Sequence, residues 1–321
     1  MNIANFFQKS RMIAKVEKVQ HSKQHCLNLE DFDLIEFPEI VLNCDSIKNL
    51  ILQRNQISEL PKEFGIHLSG LKYLSIQFNN LQKFPECLKE LTALVSLNIS
   101  HNPIKVLTED IDCFRDLKYL WCNSCKLTKL PDAIGKLSKL ETFGARNNKI
   151  TFIPDTIVHL NELRWLSLEN NTLQSLPKDI RKLENLRHLN LNNNYFIKIP
   201  KNLIGVKSLM YLHLQKNLIT SLEKDDILAL LHVKIILIGN LIENGREFKD
   251  YKNLLIYLPD YSRDSTDGTE HTTDSSEWDS DWAQSTDTLY LNYDSSSDVS
   301  DDEIYEVAAK IPKLSKFFTG Y

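Results

Sequence analysis

Two thiols three residues apart, in Cys122-Asn-Ser-Cys125, have the spacing of a redox pair or of half a tetrahedral zinc site. A structural zinc site needs two further ligands at comparable spacing, and no second Cys or His pair supplies them. The nine histidines are spread along the chain, and neither His188 nor His213 is patterned with a carboxylate or a nucleophile. Glycine is only 9 of 321 residues, with no phosphate-cradling loop, and neither His-Glu-x-x-His nor Gly-x-Ser-x-Gly occurs. The expectation is therefore no catalytic residue, no metal and no cofactor. Non-covalent recognition is the chemistry left, and it depends on how the chain displays its polar and aromatic side chains.

A strict period governs that display. Phe32, Asn55, Asn79, Asn102, Cys125, Asn148, Asn171, Asn194, Asn217 and Asn240 follow one another at steps of 23 residues, with a single step of 24 between Asn55 and Asn79. Each sits in the frame Leu163-x-x-Leu166-x-Leu168-x-x-Asn171-x-Leu173-x-x-Leu176-Pro177. This frame is similar to that of leucine-rich repeats, so the fold expected is an α/β leucine-rich repeat solenoid. It would be curved, with parallel strands on its concave face and about ten repeats.

Columns of the repeat have separate physical roles. Three residues before the Asn position stand Leu29, Leu52, Ile76, Ile99, Cys122, Ala145, Leu168, Leu191, Leu214 and Leu237, all apolar. One repeat cannot bury its own inner face, so these side chains must stack on their neighbours. The Leu-x-Leu alternation reads as a short strand with leucines inward. Asparagine carries both donors and an acceptor for loop backbone that no ladder reaches, and Cys125 stands in with a weak S–H donor. Both cysteines of the Cys-x-x-Cys pair thus occupy structural slots. Proline fills the slot six residues after the Asn position in most repeats, from Pro38 to Pro200, where its fixed φ suits the opening of an outer helical segment.

Composition divides the chain into 1–23, an amphipathic capping helix; 24–245, the repeats; 246–260, a closing segment; 261–303, an acidic Ser/Thr-rich tail; and 304–321, a short amphipathic segment. In the first, Ile3, Phe6, Phe7, Ile13 and Val16 form the apolar side. In the closing segment a helix is expected over Glu247 to Leu258. From Asp264 to Ala309 there are 14 acidic residues and no Lys or Arg, a composition that predicts disorder. Outside that stretch, 38 basic residues face 29 acidic ones, a balance of +9 within a whole-chain net charge of −5. Trp278, Trp282, Tyr290 and Tyr293 punctuate the acidic stretch, a pattern suited to docking, including self-docking on the repeats. Ser276, Ser295 and Ser300 each precede an acidic residue by three, an acidophilic kinase pattern. No run of about 18 apolar residues marks a membrane span. Six cysteines scattered among the repeats point to a reduced compartment, cytoplasmic with the nucleus as alternative.

The segment Leu130-Pro131-Asp132-Ala133-Ile134-Gly135-Lys136-Leu137 resembles the repeats of Ras-group intracellular leucine-rich-repeat scaffolds, and the likeness runs from about Gln24 to Gly245. That resemblance implies a non-enzymatic scaffold or adaptor in intracellular signalling, with a small GTPase, a phosphatase or another signalling protein as partner. The alternative is an acidic-tailed nuclear leucine-rich-repeat protein binding basic partners such as histones. Direct nucleic-acid binding is not expected from an acidic chain without a basic stripe on its strand face.

The outward residues of successive strands give the candidate site. Tyr73, Ser96, Tyr119, Thr142, Trp165, His188 and Tyr211 form one column, and exposed Tyr and Trp in a row are typical of binding hot spots. Trp121 and His213 belong to the next column, Arg146 and Glu169 to the third. Gly144 lacks a side chain beside Trp121, so a notch is expected there, edged by Arg146, for an anchor side chain of the partner or for Trp278 or Trp282. The expected partner-binding set is Tyr73, Tyr119, Trp121, Arg146, Trp165, Glu169, His188, Tyr211 and His213.

Overall fold

A computed structural model describes residues 3–256; the acidic stretch 261–303 and the segment 304–321 lie outside the described residues. Each repeat contributes a short strand, and among the described residues eleven strands form one parallel sheet in chain order. They are β1 (Cys26–Asn28), β2 (Asn49–Ile51), β3 (Tyr73–Ser75), β4 (Ser96–Asn98), β5 (Tyr119–Trp121), β6 (Thr142–Gly144), β7 (Trp165–Ser167), β8 (His188–Asn190), β9 (Tyr211–His213), β10 (Lys234–Ile236) and β11 (Leu254–Leu255). The register follows the repeat, with Leu120 opposite Phe143 and Leu166 opposite Leu189. Backbone pairing continues past the strands, as in Ala145 N–H to Ser167 O and Asn147 N–H to Glu169 O. The inward column from Leu29 to Leu237 is fully buried in one continuous core.

Three residues past the end of each of β1 to β10 the backbone turns left-handed. Asp31, Arg54, Phe78, His101, Ser124, Asn147, Asn170, Asn193 and Lys216 all have φ between 50° and 56°, and Gly239 has 77°. Each stands immediately before the ladder position. This conformation is costly for most L-residues and recurs because it turns the following side chain back under the strand. The Asn171 amide then donates to Ala145 O and Leu168 O at 3.0 Å and to Glu169 O at 3.2 Å, and its Oδ1 accepts the Ile150 N–H at 3.0 Å. Asn148, Asn194 and Asn217 repeat the arrangement, so each amide joins its own turn to that of the preceding rung.

Cys125 fits the slot imperfectly. Its thiol reaches Ile99 O at 3.3 Å, the carbonyl an asparagine amide would bind, but it has no oxygen to accept the Ile104 N–H. That N–H turns to Asn102 O instead, Lys105 is forced to φ 69° to reach Cys125 O, and Lys126 follows at φ 62°. The first position has a different solution. Phe32 is buried, with Arg11 and Lys15 of α1 (Ile3–Ser22) over its ring at 5.5 and 5.6 Å.

The prolines open outer turns. Pro38, Pro85, Pro131, Pro154 and Pro200 each precede a short 3-10 helix and accept the N–H three residues on. Helical turns need more width than strands ~4.8 Å apart, which bends the stack with the sheet on its concave side.

Both ends differ from the sequence reading. Helix α1 lies on the first rung through Met12, Val16 and Val19, spaced i, i+4, i+7, with Ile13 at the margin and Phe7 67% exposed. At the other end, the helix expected over Glu247 to Leu258 does not form within the described part of that span. A 3-10 turn at Gly245–Phe248 leads instead into β11. The reason lies in β10, whose Ile235 and Leu237 N–H groups need acceptors and find Asn253 O and Leu255 O at 2.8 and 2.9 Å. A helix would leave them unpaired.

Two stability measurements check this account. Asn171→Ala should cost about 1–3 kcal/mol in urea unfolding, by stranding the buried Ile150 N–H and removing one of two donors from each of three carbonyls. Asn240→Ala, at a half-buried position with two amide contacts, should cost less, and equal losses would contradict the ladder account. Cys125→Asn should raise stability by about 0.5–1.5 kcal/mol by giving the Ile104 N–H its acceptor. No gain would mean that Pro103, which lacks an N–H, sets that loop.

Candidate binding face

The register puts the outward residues of the strands in two straight columns. Asn49, Tyr73, Ser96, Tyr119, Thr142, Trp165, His188, Tyr211 and Lys234 are successive paired partners across the sheet. Ile51, Ser75, Asn98, Trp121, Gly144, Ser167, Asn190, His213 and Ile236 form the second column, and a third, set by the repeat, runs through Gln53, Gln77, Asn123, Arg146, Glu169 and Gln215.

In the C-terminal half the first column is a continuous stack. Trp165 and His188 lie 3.7 Å apart between ring centroids and within 13° of parallel; His188 and Tyr211 lie 4.7 Å apart within 9°, and Lys234 Nζ is 5.7 Å over the Tyr211 ring. His188 is buried between its neighbours, while Trp165 and Tyr211 are half-buried. Burial first, and then the electrostatic effect of His213 and Arg187, lowers the His188 pKa to about 3. The imidazole is therefore neutral at neutral pH and serves as an aromatic spacer. Tyr119 is half-buried and stacks on Trp121 of its own strand at 5.8 Å. Its hydroxyl pKa is raised, by burial first and then by Glu141.

The N-terminal half is lined differently. Gln77 donates its amide to Gln53 Oε1 and accepts from Asn98, all three buried, so amides link three successive rungs. Sequence reasoning missed this ladder, although Gln and Asn at outward strand positions were its signal.

The notch expected at Gly144 is filled. A Cβ on Gly144 would lie 3.0 Å from Trp121 Cδ1 and 3.1 Å from Asn123 Oδ1, because the Trp121 indole turns into the space the missing side chain leaves. Doing so buries Trp121 to 5% exposure, a gain for a large apolar ring. Arg146 is 8% exposed, so its guanidinium is not a cation at the rim, and its backbone N–H donates to Asn123 Oδ1. Glu169 Oε2 accepts from Asn190 Nδ2 at 3.3 Å. Trp121 and Arg146 thus line the floor of the face. Tyr73, Tyr119, Trp165, Tyr211 and His213 remain partly accessible.

Cys122 and Cys125 carry no site. Cys122 is buried against Gly144 O, and burial raises its thiol pKa well above the ordinary value, while burial raises that of Cys125 to about 12. Both stay protonated, unlike a nucleophile or a metal ligand. Among the described residues no helix is long and apolar enough to cross a membrane.

Known proteins share this architecture. The Leucine rich repeat family matches residues 45–104, 115–173 and 138–196. An adenylate cyclase of Schizosaccharomyces pombe is 32% identical over 126 residues, which are 38% of this chain and 7% of that protein. Leucine-rich repeat and calponin homology domain-containing protein 1 of Mus musculus is 32% identical over 117 residues, 36% of this chain and 16% of that protein. The chain spans only those small fractions of these relatives, and the likeness brings none of their activity with it. Among solved structures, a leucine-rich-repeat protein of Leptospira interrogans superposes with a TM-score of 0.57 at 25% identity, covering 75% of this chain and 80% of that one. An internalin of Listeria monocytogenes shares the fold, with a TM-score of 0.58 at 20% identity, covering 71% and 72%.

The stack makes a pH prediction. Below the ordinary histidine pKa of 6.5 the unfolded chain takes a proton that folded His188 refuses until about pH 3. The unfolded state then binds more protons, so this stability is present above pH 6.5 and is lost as pH falls toward 3. Urea unfolding at pH 7 and pH 5 should show His188→Phe losing about 1–2 kcal/mol less than the native chain between the two conditions. Equal losses would show that His188 titrates normally.

Proposed function

We propose that this leucine-rich-repeat solenoid is a non-enzymatic protein-interaction module whose partner lies across the concave sheet face between Tyr73 and His213. The observation that carries this reading is the Trp165–His188–Tyr211 stack, an ordered aromatic surface with its outer rings half open to solvent. Large rings held rigid in this way give up little conformational freedom on binding and bury much apolar area, which is why Trp and Tyr dominate interface hot spots. Tyr73 and Tyr119 extend the same column, His213 lies in the column beside it, and Glu169 offers an acceptor in the third. Trp121 and Arg146 act beneath, holding Tyr119 and the third column in place.

The finer reading is a scaffold or adaptor in intracellular signalling, placed in the cytoplasm. The repeat subclass supports it, and with it a small GTPase or a phosphatase as the partner class. Histones are the alternative, and that reading rests on the acidic residues 264–309 alone. Lysines and arginines flank the aromatic column, so a strongly basic partner would meet like charge on this face.

Affinity purification from cells with the full chain, beside Tyr119→Ala/Trp165→Ala, tests the proposal. Quantitative mass spectrometry should show the principal partner reduced at least tenfold by the double substitution while the chain still melts cooperatively. Undiminished capture would overturn the concave-face reading, and recovery of histones in place of a signalling protein would overturn the partner class.

A further inference from the structure

The residue just before each strand belongs to none of the columns above. It is Lys48, Lys72, Lys118, Glu141, Arg164 and Arg187 before β2, β3, β5, β6, β7 and β8, so the edge at which the strands begin is charged. Backbone bonds hold this edge in line: Glu141 N–H donates to Lys118 O, Arg164 N–H to Glu141 O and Arg187 N–H to Arg164 O, each at 2.9 Å. The one carboxylate of the row is taken, since Glu141 Oε1 meets Lys118 Nζ at 3.0 Å. Arg164 and Arg187 are exposed, and among the described residues neither forms an ion pair. Glu162 and Glu184, on the turns leading into β7 and β8, pair with neither of them. Two like charges on adjacent strands repel, and an anion seated between them removes that cost.

The rings beside these arginines turn their edges outward. Both faces of His188 are covered, by Trp165 and Tyr211, and Tyr211 lies between His188 and the Lys234 ammonium. An aromatic ring is negative on its faces and positive at its edge. A stack with its faces occupied therefore offers the positive rims, next to a row of full positive charges. Carboxylates suit both, and the planar guanidinium fork binds them through two parallel hydrogen bonds. Single-stranded nucleic acid is also anionic, but its bases bind by stacking on ring faces, which this stack uses on itself.

We propose that the part of the partner held on this face is an acidic peptide segment, with carboxylates on Arg164 and Arg187 and an apolar side chain against the open rims of Trp165 and Tyr211. This rests on the reading of the sheet face as the binding face, and it names the chemistry of what binds there. The spacing is compatible. Successive rungs stand ~4.8 Å apart, while side chains one helical turn apart lie about 5–6 Å from each other, and alternate residues of an extended segment about 7 Å. Long arginine stems take up the difference. The same row repels a basic segment, so it selects its partner as well as attracting it.

Selection of a phage-displayed library of random dodecamer peptides on the full chain, read by sequencing, tests the proposal. The expected winners are at least threefold enriched in Asp and Glu over the starting library and carry an aromatic or Leu. Their binding should weaken at least tenfold in Arg164→Gln/Arg187→Gln with an unchanged melt, and Arg164→Glu/Arg187→Glu should select basic peptides instead. Glu141→Lys replaces the one carboxylate of the row with a cation and should strengthen binding at least threefold, a gain that misfolding cannot produce. Neutral or basic winners, no winners, or acidic winners indifferent to both the arginine and the Glu141 changes overturn the proposal. So does tight binding of an oligothymidylate to the full chain that depends on Arg164 and Arg187. Neutral winners that are lost in Tyr119→Ala/Trp165→Ala would remove the acidic partner and leave the sheet-face reading standing. Winners of any charge that are indifferent to Tyr119→Ala/Trp165→Ala would overturn both.

Discussion

A buried side-chain amide at the turn of almost every repeat is the interaction on which the rest of the molecule depends. Strands of three residues make few backbone bonds, and the left-handed residue three positions past each of β1 to β10 would open the turn to unpaired polar groups. The asparagine closes it by donating to its own turn and to the rung before, and by accepting an N–H from that same rung. Because each amide joins two rungs, it fixes the spacing between them as well as the turn. Cys125 shows the consequence of losing one acceptor: two residues, Lys105 and Lys126, go into left-handed backbone that the regular rungs do not need. The straightness of the outward columns, and so the existence of an aromatic stack, follows from this ladder.

On that frame the sheet face has two linings. Amides of Gln53, Gln77 and Asn98 bond to one another in the N-terminal half. Rings of Trp165, His188 and Tyr211 line the C-terminal half, and His188 stays neutral because it is held between them. Between the halves, Trp121 covers Gly144 and closes the surface. On the proposed reading, recognition is concentrated on the rings and the charged edge beside them. Both are features of a surface that binds an extended or flat partner, not of a pocket that encloses a small one.

Much of this was legible in the sequence because a period of 23 residues makes every column countable. The inward leucines, the ladder asparagines, the prolines and the register of Tyr73 to Tyr211 fall where the spacing places them. What the spacing does not encode is how a side chain uses vacant space. Gly144 reads as a notch until the rotamer of Trp121 is known, and Arg146 reads as a rim cation until its burial is. The ends escaped for a related reason. Periodicity cannot show which stripe of α1 meets the first rung, and it stops before β11, which is dictated by unpaired N–H groups of β10. The basic edge was present in the sequence but sits one residue outside the frame used to define the face.

The central claim is that a protein partner lies on the sheet face beside the stack. A photo-crosslinking amino acid placed at Thr142, half-buried between Tyr119 and Trp165 on that face, tests it most directly against one placed at Ile66, 65% exposed on an outer turn. In cells, the account predicts that Thr142 captures a discrete partner and Ile66 does not. Capture of the same partner from Ile66, with none from Thr142, would contradict it.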